Sequence, residues 1–247
     1  MHATELILLA GTFAGALVGG FVSGFAGFGT ALTAIGIWLE IMPPHVVAVL
    51  TVIFTVASQT ASLPAVFRAI EPRRVVPFMV PGLIGVPIGA WLLNILDPNW
   101  IRLGAGVIVV GFSLYMLLAR ARESLTWGGQ AADTAIGFAG GILGGLMGLS
   151  GTLPTLWAAL RGWPKLESRT VFQSFNLATS LLALGTHMWS GMLTGAVLKA
   201  AAMALPGTFL GTWLGVRTWH RVGEHGFRKA ILVLLCISGV LLLAGGL

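Results

Sequence analysis

The chain has 247 residues, of which 56% are hydrophobic and only 9% charged, against about 25% charged in a soluble domain. So few charges cannot cover a water-facing surface, which points to an all-α polytopic membrane protein with its apolar outside in lipid. The net charge of +6 and pI near 10.8 do not indicate a nucleic-acid partner, because the basic residues sit in short segments between apolar runs.

In chain order, no Lys or Arg precedes the first apolar stretch, so a cleaved signal peptide is not expected. Region 5–42 is too long for one crossing of about 20 residues. It is expected to form a hairpin of two short helices or a re-entrant loop, with two ordinary short spans as the alternative. Basic loops mark the cytoplasmic side. The segments Arg68–Arg74, Arg120–Arg122, Arg161–Arg169 and Arg217–Lys229 hold 12 of the 14 Lys and Arg residues. With all four inside, 46–67 runs inward, 75–95 outward, 101–119 inward, 170–190 outward, 197–216 inward and 230–246 outward. Region 133–160 starts and ends on cytoplasmic loops, and 28 residues are too few for two full spans. It reads as a second hairpin or re-entrant loop. The same device facing the other way puts the N-terminus outside. The lone Cys236 excludes a disulfide and a multi-cysteine metal site, and no metal or cofactor is expected.

An offset of 121 residues places Gly19, Gly20, Gly24 and Gly27 on Gly140, Gly141, Gly145 and Gly148, and Pro43 on Pro164. An offset of 122 places Gly89, Trp91 and Leu92 on Gly211, Trp213 and Leu214. With 35 glycines in 247 residues a chance match is about 2% per position, so four within ten residues indicate a duplication. The expected fold is two inverted repeats, each a short-helix hairpin plus three transmembrane helices, giving 8–10 membrane segments. The first repeat covers 1–122, the second 131–247, and 123–130 is a cytoplasmic linker. Secondary transporters recur in this form, with the site near the midplane.

The hairpin tips read Gly24-Phe-Ala-Gly-Phe-Gly-Thr30 and Gly145-Leu-Met-Gly-Leu-Ser-Gly-Thr152. Glycine allows positive φ and close approach, and broken backbone at membrane depth must line protein or a cavity. Helices starting near Thr30 and Thr152 would turn positive dipole ends toward an anion. Candidate substrate-binding residues at the tips are Gly27, Gly29, Thr30 and Thr33 in the first half, and Gly148, Ser150, Gly151 and Thr152 in the second. Packing alone accounts better for Gly19, Gly20, Gly140 and Gly141. The following segments are polar for membrane helices: Thr51, Thr55, Ser58, Gln59 and Thr60, then Gln173, Ser174, Asn176, Thr179 and Ser180. Gln59, Gln173 and Asn176 are the chosen candidates among them, as neutral donors that let an anion bind and leave. Glu40 and Asp133 sit at segment ends, His45 at an expected external loop and His187 near the outer interface, and all four read as solvated rather than as a proton relay. The Arg161–Arg169 loop reads equally as a funnel for incoming anions or as a positive-inside anchor. No Gly-Lys-Ser/Thr follows either tip, which excludes a Walker-type phosphate loop.

At the tips the chain resembles the TauE/SafE family of sulfite and organosulfonate exporters, whose duplicated pattern is G-x-x-G-x-G-G-x followed by an apolar stretch and Pro. Gly145, Gly148, Gly151 and Pro154 follow it in the second half, with Ser150 in place of a family glycine. Gly24, Gly27 and Gly29 follow it in the first, where Thr30 stands for the second Gly of the pair and Thr33 for the Pro. The resemblance implies a non-enzymatic secondary transporter of small, sulfur-containing anions in the bacterial inner membrane. Its partners would be the anion and the bilayer, with the oligomeric state open and a homodimer included. Efflux of an anion from a negative-inside cell is downhill by about 2.3 kcal/mol per charge per 100 mV, so export is the expected direction. An uptake carrier for another small organic anion and a non-transporting assembly subunit are the alternatives. A membrane enzyme would need paired His and acids at depth, which the sequence does not offer.

Overall fold

A computed structural model of the chain describes residues 3–29, 34, 38, 41–92, 127–147 and 149–244, together with 103, 104, 106, 107, 109–111, 113, 114 and 117. The helices are α1 (Ala3–Ala26), α2 (Pro44–Ser62), α3 (Pro72–Leu92), α4 (Gly129–Met147), α5 (Thr152–Leu160), α6 (Lys165–Trp189), α7 (Gly195–Arg221) and α8 (Glu224–Ala244). Two 3-10 turns, Leu63–Ala65 and Phe67–Ala69, follow α2. No strand occurs among the described residues, and the chain is an all-α multi-pass membrane protein. Among the described residues, four helices are long and apolar enough to cross a bilayer by length and composition: Leu8–Ala26, Val46–Ala65, Pro72–Leu92 and Gly195–Arg221. Large apolar side chains such as Val80, Ile84 and Trp91 on α3, and Phe209 and Trp213 on α7, are exposed and suit lipid contact.

The hairpin regions are less even than the sequence suggested. The first arms are long: α1 has 24 residues and α4 has 19, or about 36 and 28 Å at 1.5 Å per residue. The second arm of region 133–160 is the nine-residue α5. Thus each tip follows a long helix rather than a short one. The α4 helix also begins at Gly129, inside the expected 123–130 linker. Nine residues of span 101–119, the stretch 120–126, and Glu40 lie outside the described residues.

The chain forms two compact units: Met1–Arg68 with Asn176–Arg221, and Ala69–Phe175 with Val222–Leu247. In the first unit the core is built from α1, α2 and α7 around Trp38, which is fully buried. Its indole N–H donates to the Thr12 carbonyl at 3.1 Å, and its ring meets Phe54 edge-on at 5.1 Å. Residue 38 thereby folds back onto α1, as a hairpin requires. In the second unit Phe78, Trp157, Val171 and Phe175 form the core, with Trp163 edge-on to Phe78 at 5.9 Å.

Each unit also holds one tight pair of parallel helices joined through glycine. In the first, the carbonyls of Leu17 and Phe21 on α1 face Gly211 and Gly215 on α7, while Gly20 and Gly24 face Thr208 and Thr212. In the second, Phe138 and Ile142 on α4 face Gly85 and Gly89 on α3, while Gly141 and Gly145 face Gly82 and Val86. A Cβ at these glycines would run into backbone of the neighbouring helix, so the helices approach as small-xxx-small pairs do. One set of contacts becomes the other when α1 is advanced by 121 positions and α7 moved back by 126. The packing register therefore makes Gly89 the counterpart of Gly215, where the sequence offset had matched it to Gly211. The two differ by about one turn, which leaves the helix face unchanged and so hides the shift from a sequence comparison.

Candidate functional site

The first tip starts where α1 stops. The Gly27 N–H donates to the Ser23 carbonyl at 2.8 Å, closing the last turn. Gly27 and Gly29 then take φ of 81° and 82°, a region that side chains with a Cβ avoid. Two buried amides hold this turn from separate helices. Gln59 on α2 donates its Nε2 to the Gly27 carbonyl at 3.0 Å, and Asn176 on α6 donates its Nδ2 to the same oxygen at 3.1 Å. The two residues are 0% and 6% exposed. Fixing that carbonyl also fixes the peptide plane, which directs the Phe28 N–H to the opposite side. Beside them the Ser58 and Thr212 hydroxyls share a hydrogen bond of 2.8 Å. Thr51 and Thr55 donate back to their own helix, to the Val47 and Thr51 carbonyls, as mid-helix threonines commonly do. Thr30 and Thr33 lie outside the described residues.

The second tip is built differently. Gly151 caps α5 with φ −77° and ψ −12°, so it does not use the conformational freedom of glycine. Ser150, Thr152 and Thr155 are all buried. Thr155 donates its hydroxyl to the Gly151 carbonyl at 2.6 Å, and the Thr152 N–H is used by the Leu149 carbonyl at 3.2 Å. Pro154, in the first turn of α5, has no N–H to give. This helix start therefore presents fewer backbone donors than the sequence reading assigned to it. Gly148 lies outside the described residues.

The largest departure is Arg169. The sequence reading placed it in a cytoplasmic loop running from 161 to 169, but the connection between α5 and α6 is only residues 161–164. Arg169 stands in the second turn of α6 with 0% exposure, its Nε donating to the Gln173 Oε1 at 3.4 Å. Gln173 is equally buried. A buried cation in a membrane protein is costly, and such residues face cavities or partners in the protein interior. The signal was present in the spacing: Lys165, Arg169, Gln173, Asn176 and Ser180 follow one another at steps of three or four and fall on one helix face. Asp133, expected to be solvated, instead accepts from the Trp157 indole at 2.7 Å and lies 3.8 Å from Arg161. Arg161 in turn stacks over the rings of Trp157 and Trp163 at 5.6 and 5.8 Å. Among the described residues no three His, Cys, Asp or Glu side chains are grouped to hold a metal ion.

Comparison with known proteins adds two findings. The family description "Sulfite exporter TauE/SafE" matches residues 12–242. A Cupriavidus necator protein named a probable sulfite/organosulfonate exporter TauE is 28% identical over 225 residues, covering 88% of this chain and 86% of that protein. No solved structure matches.

Proposed function

Because the chain belongs to the sulfite exporter TauE/SafE family, we propose that it exports a small sulfur-containing anion, sulfite or an organosulfonate, across the inner membrane by alternating access of two inverted halves. The observation that carries this reading is the first tip. A helix broken at positive-φ glycines lies in a buried setting, and two amides from different helices brace its carbonyl. Irregular backbone in a membrane protein belongs where it lines a cavity, and broken helices of this kind hold ions in secondary transporters. The donors are neutral, which suits an anion that must be released.

Two further observations support the reading. The α1 and α7 helices run parallel, as do α3 and α4. With the loop charges setting α7 inward and α3 outward, α1 runs inward and α4 outward, in keeping with an external N-terminus. Downhill export of an anion under the membrane potential also needs no coupling ion.

Counterflow of labelled sulfite and short alkanesulfonates in proteoliposomes tests the proposal. Saturable exchange is expected for at least one of them. Folded, monodisperse protein that exchanges none would overturn it and favour a non-transporting subunit. Exchange confined to carboxylates would favour an uptake carrier for other organic anions.

A further inference from the structure

The second unit contains a cavity of about 600 Å³ that reaches Thr155 in the first turn of α5, next to the second tip. Its walls are the end of α5, the 161–164 turn, the first turns of α6 and the first turns of α8. The segments that flank it, Arg161–Arg169 and Arg217–Lys229, are the basic ones that loop charge assigns to the cytoplasmic side. Lys165, Arg228 and His225 line it, with Glu224 as the acidic member.

Glu224 is already engaged, since its Oε2 accepts the backbone N–H of Lys165 at 2.7 Å. The Lys165 ammonium donates to the Val222 carbonyl at 2.6 Å and lies 5.9 Å from the Phe227 ring centroid. These bonds tie the start of α6 to the start of α8 and hold the lysine in the wall. Burial pushes its pKa down; Glu224 opposes that shift and the charge of Arg169, one turn further along α6, adds to it. Lys165 on α6 and Arg228 on α8 thus line the cavity together with one carboxylate, and Arg169 stands one turn behind Lys165. The opposite character is supplied by Trp163, Phe172, Phe227 and Ile231, which give the cavity an aromatic and aliphatic lining.

We propose that this cavity is a cytoplasmic binding site for an organosulfonate, with the sulfonate toward Lys165 and Arg228 and the carbon tail against Phe172, Phe227 and Trp163. The assignment rests on the export reading above and deepens it, because it selects organosulfonates over sulfite. A bare sulfite ion fills a small part of such a volume and gains nothing from aromatic walls. A tail excluded from water gains affinity with each carbon it buries, about threefold per methylene when most of the group is covered.

The test is binding of methane-, ethane-, butane- and hexanesulfonate, with sulfite and butanol as controls, to the full-length protein in nanodiscs, read by intrinsic tryptophan fluorescence and by calorimetry. Affinity should rise by roughly threefold per carbon up to butane- or hexanesulfonate, and butanol should bind much more weakly. Arg228→Gln should weaken the whole series about tenfold and leave its slope intact. Phe227→Ala should flatten the slope and spare methanesulfonate. Affinities that do not depend on tail length overturn the proposal, as do folded variants with an unaltered series. The series on the unaltered protein is decisive even where Phe227→Ala fails to fold. Binding with the expected slope but without flux would uphold the cavity and defeat transport. Flux without tail dependence would do the reverse.

Discussion

The two tips reach similar places in the sequence by different chemistry. The first is glycine at positive φ, braced by the neutral amides of Gln59 and Asn176. The second is a short helix start with buried hydroxyls and right-handed glycine. The unit that contains the second tip also holds the fully buried Arg169 and Gln173 pair. The helix packing is thus alike in the two units, while the polar groups differ. What the halves share is the backbone contact that builds a membrane domain. Among the described residues they do not share the buried charge of Arg169, which on the proposed function is where an anion would be held most tightly.

The hardest blow to that asymmetry is Arg169→Met. Removing the Arg169 charge also removes its cost of burial, which offsets the hydrogen bond lost to Gln173. Thermal unfolding should thus stay within about 1–2 kcal/mol of the parent protein, while sulfonate flux falls on the order of 100-fold, the equivalent of losing about 2.7 kcal/mol of interaction with the anion. Full flux with a large loss of stability would make Arg169 a structural residue. Next in size are the shared contacts. Gly24→Ala brings a Cβ within 2.8 Å of the Thr212 Cα, and Gly145→Ala within 2.8 Å of the Ala90 N. Each should destabilise by about 2–3 kcal/mol through overpacking. The two losses should agree within about 1 kcal/mol, since both contacts occupy the same place in the repeated register. A marked inequality would break the equivalence of the helix pairs.

Much of this was legible in the sequence, for identifiable reasons. Uncharged runs and basic loops located α2, α3, α6, α7 and α8, because a lipid-facing helix has to be apolar over its whole length. Gln59 and Asn176 stand out in the sequence because polar amides inside such helices are rare, and the structure shows both donating to the Gly27 carbonyl. Arg169 was missed for the same reason in reverse: a charge at the edge of an apolar run looks like a loop, and only the step of three or four residues through Lys165, Gln173 and Asn176 marks it as helical. The convergence of Gln59 and Asn176 on the Gly27 carbonyl was not legible, because it joins residues 32 and 149 positions away. Nor did the glycine pattern reveal that Gly24 and Gly145 serve packing, whereas Gly27 and Gly29 bend the tip.

The first tip can be tested through its shared acceptor. A carbonyl oxygen has two lone pairs, and here two amides use them. Gln59→Ala or Asn176→Ala alone leaves the Gly27 carbonyl with one donor, so each should cost only about 1 kcal/mol. The double variant leaves a buried carbonyl without either, and should cost about 1–2 kcal/mol more than the sum of the singles. A simple sum in thermal unfolding would show that the amides act separately. If they instead meet the anion directly, each single variant should weaken apparent affinity in counterflow by more than its effect on stability implies.

The smallest effect separates the tips by backbone alone. Gly29 has φ of 82°, and a Cβ added there meets the Val22 Cγ1 at 3.3 Å, a contact that a small shift relieves. The remaining cost of Gly29→Ala is conformational, about 1 kcal/mol for an L-residue held in the left-handed region. At Gly151 the same substitution meets no such penalty, because φ of −77° is ordinary for alanine. Unfolding midpoints of Gly29→Ala and Gly29→Asn measure the term, since Asn tolerates positive φ better than Ala. Asn should recover part of the loss at Gly29. Equal midpoints for the two would mean that contact with Val22, rather than the sign of φ, fixes glycine at that position.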